Sequence, residues 1–282
     1  MTSAPARPRL SPPASLAPSE ELLVALDIDG TIVQIDGYLH PVVAKGIAAM
    51  RRRGAAVVLA TGRGVDGVLP IARQLGMSDG YAVCANGAVV LQFDDSPAGY
   101  HLSDVVTFDP ASALDQLRER IPSALFLVED GNGDHYTTGA FPDGELATAP
   151  PIVPFERLRH MAATRVTVRA PDVPSAEFAE LIADTGLHGV GYYIGWSAWL
   201  DIAPQGVSKA SALEMLRGRL QIAPHATVAV GDGSNDVEML AWAHYSVAMG
   251  QAPPQVQAQA NEVTAPVTEG GLAYVLSAIL TR

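Results

Sequence analysis

The sequence predicts an α/β protein, a parallel sheet flanked by helices and interrupted by an inserted α+β region. Three observations predict it. Short apolar runs at Leu22–Leu26, Ala55–Ala60 and, broken only by Thr227, Ala226–Val230 read as strands buried on both faces, the habit of parallel sheets. Helical stretches separate successive runs, so strand, helix, strand, helix, strand follow one another as right-handed crossovers require. The pattern stops near residue 89, gives way to half-polar strands, and returns near Gly206.

The elements follow in order. Met1 to Glu20 is rich in Pro, Ala and Ser and is expected to be a disordered tail. After the first strand, a helix is predicted from about Pro41 to Arg53. Proline suits its first turn, Arg51, Arg52 and Arg53 suit the negative end of its dipole, and Gly54 stops it. The second strand ends in Thr61-Gly62-Arg63-Gly64. A helix follows from about Val65 to Leu75, then a third strand, Tyr81 to Cys84. Within the insert, helices are read at Ser112–Arg120 and Ser175–Asp184. Strands are read at Ala124–Val128, Asp134–Thr138, Arg165–Arg169, Val190–Ile194 and Ala198–Ile202. Arg165 to Arg169 alternates charged and apolar residues, which suggests a sheet with one wet face. Pro142, Gly144, Pro150, Pro151 and Pro154 mark loops. The first pattern resumes with a helix at Val207–Leu220, the strand Ala226–Val230 and a helix at about Ser234–Ala243. A strand at Tyr245–Met249, a helix near Pro254–Ala260, a strand at Glu262–Ala265 and a last helix at Gly271–Leu280 complete the chain. The expected division is a tail at 1–20, a catalytic core at 21–88 and 200–282, and an inserted α+β cap at 89–199.

Composition narrows the function. With 282 residues, 48% hydrophobic and 17% charged, the chain can bury a sizeable core. A net charge of −12 argues against a nucleic-acid surface, which needs a basic stripe. It leaves room for an anionic substrate if a bound cation supplies local positive charge. No apolar run reaches the roughly twenty residues that span a bilayer, and the first twenty residues hold no signal-type apolar segment. The single cysteine, Cys84, ends an apolar run and reads as a buried, inert thiol. These features lead us to expect a cytoplasmic protein. The seven histidines show no metal-binding i, i+4 pair.

Four strand ends or loops supply chemistry: Asp27 with Asp29, Thr61, Lys209, and Asp232 with Asn235 and Asp236. Alternation along extended backbone sends the Asp27 and Asp29 side chains to opposite sides. In open α/β sheets, ligands bind beyond the carboxyl ends of the strands. Acids there are costly to desolvate unless they hold a cation or do chemistry. Each residue also has a plain reading: Thr61 as a cap, Lys209 as a surface lysine, Asp232 and Asp236 as dipole-matched helix acids. Lys209 is one of only two lysines, the other being Lys45.

The order Asp27-Ile28-Asp29-Gly30-Thr31, Ala60-Thr61-Gly62-Arg63, Ser208-Lys209-Ala210 and Gly231-Asp232-Gly233-Ser234-Asn235-Asp236 resembles the four motifs of the haloacid dehalogenase-like phosphohydrolase superfamily. Asn86-Gly87-Ala88 before the insert and Asp201-Ile202-Ala203-Pro204 at its end resemble the Cof-type subfamily, whose large α+β cap covers a Rossmann-like core. The resemblance implies a Mg²⁺-dependent phosphatase acting on small phosphorylated metabolites, sugar phosphates above all. It implies Asp27 as nucleophile and Asp29 as acid and base. Thr61, Gly62 and Lys209 would hold the phosphate, and Asn235 would support Lys209 or the phosphate. The metal would take the Asp27 side chain, the Asp29 main-chain carbonyl, Asp232 and Asp236. Gly30 and Thr31 would form a tight turn that moves with the cap. The family often has asparagine where this chain has Gln251, and the tail is longer than usual.

A hexose phosphomutase-type phosphotransferase shares the same core. A catalytically idle sugar-phosphate-binding protein is a third reading, against which Asp29 argues. A haloalkanoate dehalogenase fits less well, since that chemistry needs no metal and its members lack the second aspartate. Asp130, Asn132, His135, Arg165 and Trp196 are candidate substrate contacts in the cap. Oligomeric state is left open.

Overall fold

A computed structural model describes residues 8–146, 148–183, 185, 187, 189–194 and 198–282. In chain order its elements are β1 (Leu23–Leu26), α1 (Pro41–Arg52), β2 (Ala56–Ala60), α2 (Val65–Gln74), β3 (Gly80–Cys84), β4 (Val89–Phe93), β5 (Tyr100–Val105), α3 (Ala111–Arg120), β6 (Leu125–Asp130), β7 (His135–Thr137), α4 (Phe155–Arg159), β8 (Ala163–Arg169), α5 (Ser175–Ala183), β9 (Val190–Ile194), β10 (Trp199–Pro204), α6 (Lys209–Arg219), β11 (Thr227–Gly231), α7 (Val237–Trp242), β12 (Tyr245–Ala248), α8 (Pro254–Gln257), β13 (Glu262–Val263) and α9 (Gly271–Leu280).

Two sheets organise them. The main sheet has the order β13-β12-β11-β1-β2-β3-β4-β5. The pairs from β13 to β3 are parallel, and β4 and β5 are antiparallel. β1 lies at the centre, pairing Leu23 with Thr227 on one side and with Ala56 on the other. Its side chains alternate between two apolar layers. Val24 and Leu26 join Val43, Ile47 and Met50 of α1, Val65, Val68 and Ile71 of α2, and α9. Leu23 and Ala25 join Leu213 and Leu216 of α6 and Met239 and Leu240 of α7. Helices on both faces account for the unbroken apolar run.

The second sheet, β7-β6-β8-β10-β9, is antiparallel throughout. One face carries Phe126, Val128, Val166, Val168, Leu200 and Ile202 against α3, α4 and α5. The alternate residues, Glu129, Arg165, Thr167 and Asp201, form the opposite face, which turns toward the main sheet. The expected wet face is therefore polar but covered: Glu129 and Thr167 have no exposure and Arg165 has 7%.

Three expectations change. β4 and β5, read as the start of the insert at residue 89, extend the main sheet through the β3–β4 pairing; antiparallel hairpins add to a sheet edge without a crossover. β10, read as the return to the core at 200, belongs instead to the second sheet. The described part of the tail is ordered. Ala14–Leu16 forms a 3₁₀ turn, Leu16 is fully buried in the main core with Leu10 packed on it, and the Ser11 amide donates to Glu262. The helix read at Ser175–Asp184 is described over Ser175–Ala183, and Asp184 and Trp196 lie outside the described residues. Among the described residues, no helix is long and apolar enough to cross a membrane.

Candidate active site

The carboxyl ends of β1, β2 and β11 and the start of α6 converge beneath the polar face of the second sheet. Asp27 continues β1, its amide donating to the Val230 carbonyl at 3.0 Å, so its side chain is fixed by the sheet. It is buried at 4% exposure, whereas Asp29, two residues on, points outward, as alternation requires. Between them and β11 stands Gly30 at φ 78°. A Cβ there would come within 2.2 Å of Asp232 Oδ2, so glycine is needed both for the turn and for this close approach.

Lys209 is the first residue of α6. Ser208 caps the helix, and Ser208 and Ser211 exchange side-chain and backbone hydrogen bonds, which settles the direction in which Lys209 leaves the helix. Its ammonium, fully buried, donates to Asp27 Oδ1 and to Asp236 Oδ1, both at 2.7 Å. Asp236 Oδ2 accepts from the Asp232 and Gly233 amides, both at 2.8 Å. One carboxylate thus orients the lysine and folds the loop that carries Asp232.

Charge in this cluster is unbalanced. Asp27, Asp232 and Asp236 each offer a carboxylate oxygen within 4.8 Å of the others, and a single ammonium sits among them. Burial, and then repulsion from Asp236, holds the Asp27 carboxyl well above the usual carboxylate range, with Lys209 opposing. Burial and Asp236 likewise push Asp232 up to about 6, against the hydrogen bond from Gln251. Burial alone would depress Lys209, but Asp236 and Asp27 outweigh it and raise it. Surplus negative charge in a dry, all-oxygen site fits a hard divalent cation. Asp27 and Asp232 keep oxygens free for one. Both Asp236 oxygens are occupied by Lys209 and the two amides, which suits it to act through water or through its neighbours.

Asp29 faces another way. Arg63 grips it with two hydrogen bonds, Nε to Oδ2 at 2.8 Å and Nη2 to Oδ1 at 2.6 Å, and this hydrogen bonding raises the arginine's own pKa. Its carboxylate lies outside the acidic triad. Sequence reasoning missed this pairing. The signal present was the arginine that follows Thr61-Gly62, whose fork geometry suits a carboxylate. Thr61 is buried, and its hydroxyl accepts from the Arg63 amide at 3.1 Å. Asn235 is brought to the site, where its side chain donates to the Asn86 side chain at 2.9 Å. Asn86 is buried in a left-handed turn with Ala85. Gln251, longer than the asparagine the family often carries, uses that length: its Nε2 reaches the Gly30 carbonyl at 2.6 Å and Asp232 Oδ2 at 3.0 Å.

A cavity of about 690 Å³ separates the two sheets, lined below by Asp27, Asp29, Thr61, Gly62, Asp232 and Asn235. Above, its wall includes His135, Glu145, Arg165, Tyr193, Trp199 and Asp201. Of the candidate cap contacts, His135 and Arg165 reach it. Asp130 and Asn132 do not line it: Asp130 Oδ1 accepts from the Asn132 and Asp134 amides and closes the β6–β7 turn.

A parallel core with four motif loops at one edge, under a separate antiparallel cap, defines a class of hydrolase. A model of the haloacid dehalogenase-like hydrolases matches residues 24–276, and the chain belongs to that family. It is 28% identical over 276 residues to pyridoxal phosphate phosphatase YbhA of Escherichia coli (strain K12), covering 90% of this chain and 97% of that one. It is 29% identical over 242 residues to the HMP-PP phosphatase of Serratia proteamaculans (strain 568), covering 83% and 86%. Its fold matches a solved sugar phosphatase of subclass IIB with a TM-score of 0.76 at 20% identity, over 91% of this chain and 98% of that chain.

Proposed function

We propose that the protein is a Mg²⁺-dependent phosphatase that hydrolyses small phosphate monoesters, sugar phosphates or similar metabolites, through an aspartyl-phosphate on Asp27. The observation that carries this reading is the buried cluster of Asp27, Asp232 and Asp236, in which Asp27 and Asp236 share the Lys209 ammonium and Asp27 and Asp232 line a cavity roofed by a second sheet. Lys209 binds Asp27 Oδ1 and fixes the carboxylate for attack on phosphorus. The oxygen–phosphorus bond forms as the bond to the leaving alcohol breaks. Asp29, protonated on an oxygen released from Arg63, gives that proton to the alcohol, and the resulting carboxylate then takes a proton from the water that cleaves the phosphoryl group from Asp27. The Thr61 hydroxyl and Gly62 amide hold phosphate oxygens, with Lys209 as the fixed charge beside them. Asp27, Asp232, the Asp29 carbonyl and, directly or through water, Asp236 would hold Mg²⁺, which when bound offsets the charge of nucleophile and phosphate.

The family relation and the acid cluster support this chemistry. The relatives named above act on chemically different phosphates, so the leaving group is left to the cap. Asp27→Asn, assayed with an aryl phosphate and Mg²⁺, is expected to lose turnover; undiminished activity would remove Asp27 as nucleophile. Free phosphate released without an activating bisphosphate separates hydrolysis from mutase-type transfer.

A further inference from the structure

Arg165 belongs to the cap sheet, yet its guanidinium ends on the main chain of the core. Nη1 donates to the Gly62 carbonyl at 2.8 Å. Two flanking strands aim it there. Glu129 is its cross-strand partner on β6, and Glu129 Oε2 accepts from Nε at 3.2 Å and lies 3.1 Å from Nη2. Asp201 of β10, held by the Thr167 hydroxyl at 2.7 Å, lies 3.8 Å from Nη1. A buried charged group of this kind is weak as a source of stability. Its directional product is one donor delivered across the cap–core boundary.

The receiving loop makes that donor significant. Thr61, Gly62 and Arg63 each have their carbonyl clamped. The Asn86 amide holds Thr61 at 3.0 Å and the Ala85 amide holds Arg63 at 2.8 Å. Both clamps come from the core. The middle carbonyl, at the most pliant residue, is held from the cap. The Gly62–Arg63 peptide that Arg165 grips also carries the amide that donates to the Thr61 hydroxyl. The cap sits flush beside this loop. A Cβ on Gly64 would stand 2.4 Å from Glu129 Oε2 and 2.9 Å from His135 Nε2.

We propose that Arg165 is a positioning residue: by gripping the Gly62 carbonyl it sets the middle of the loop that binds phosphate, so that the loop is fully organised only while the cap is seated. This rests on the phosphatase reading of the site and adds to it a link between cap and phosphate loop. Gly64 keeps the boundary thin enough for the link to form.

Inorganic phosphate is the probe, because it meets the loop and makes no use of leaving-group contacts. Its competitive inhibition constant against p-nitrophenyl phosphate is measured in Mg²⁺ for the full chain and for Arg165→Met, Arg165→Lys and Gly64→Ala. Loss of one charge-assisted hydrogen bond corresponds to about a tenfold change. Arg165→Met and Gly64→Ala are expected to raise the constant by about that factor, while Arg165→Lys, which keeps one donor, stays within about threefold of wild type. Gly64→Ala keeps every charged side chain and has an ordinary φ, so it carries the test even where Arg165→Met folds poorly. The constant reads the folded fraction alone, so a merely structural loss does not move it. Unchanged constants in both variants overturn the link while Asp27→Asn still reports on the phosphatase reading. A wild-type protein that neither turns over nor is inhibited by phosphate overturns both.

Discussion

Asp232 shows how one residue records what its neighbours lack. Its carboxyl is pushed from an ordinary 3.8 up to about 6 by burial and by Asp236. In the metal-free protein the proton is therefore held more tightly folded than unfolded. Stability from this group is greatest at low pH and falls as pH rises from about 4 to about 6, then levels off. A bound cation favours the charged form and removes that slope. We therefore expect the gain in melting temperature from saturating Mg²⁺ to be small at about pH 5 and larger at about pH 7.5. Thermal scans with and without Mg²⁺ check this; an equal gain at both pH values contradicts it. The acids themselves were legible in the sequence because apolar strands ended in them. The Arg63–Asp29 and Asn235–Asn86 pairings were not, since they join positions 34 and 149 residues apart and depend on loop conformations that residue type leaves open.

Among the elements, α6 matters most to the site because its first residue is Lys209. The Ser208–Ser211 capping box holds that first turn, and Ser208 is 4% exposed. Ser208→Ala is expected to cost about 1 kcal/mol, read as a lower urea midpoint at constant slope. It should also reduce turnover more than substrate affinity, since the frayed turn carries the ammonium and not the leaving-group wall. The parallel strands and their helices could be read from apolar runs and caps. Sheet membership could not be read so directly. β4 and β5 carry local patterns that suit either sheet, and only the long-range pairing of β4 with β3 decides. The five-residue α4 is too short for periodicity to mark, whereas the strand read at Glu262–Ala265 is present as β13 over Glu262–Val263.

Across the whole molecule, two apolar layers sandwich the main sheet and a third lies behind the cap, leaving the polar faces to meet around the cavity. Stability and chemistry are therefore separable. Leu16, which belongs to none of the motifs, is fully buried in the main core. Leu16→Ala is expected to cost about 2–5 kcal/mol with kcat/KM unchanged, measured by chemical denaturation and by aryl phosphate turnover. A fall in kcat/KM at full folding would show that the N-terminal segment reaches the site. The tail was expected to be disordered because Pro, Ala and Ser outnumber its apolar residues. Leu10 and Leu16 pack its described part against the core.

Cys84 gives the molecule a natural reporter. It is the one thiol in the chain, closes β3 at full burial, and burial, with Glu129 adding to it, raises its pKa far out of the reactive range. A maleimide or disulfide reagent can label it only when the carboxyl edge of the main sheet opens. Labelling rate then clocks that opening without any engineered tag, and saturating substrate or phosphate should slow the clock.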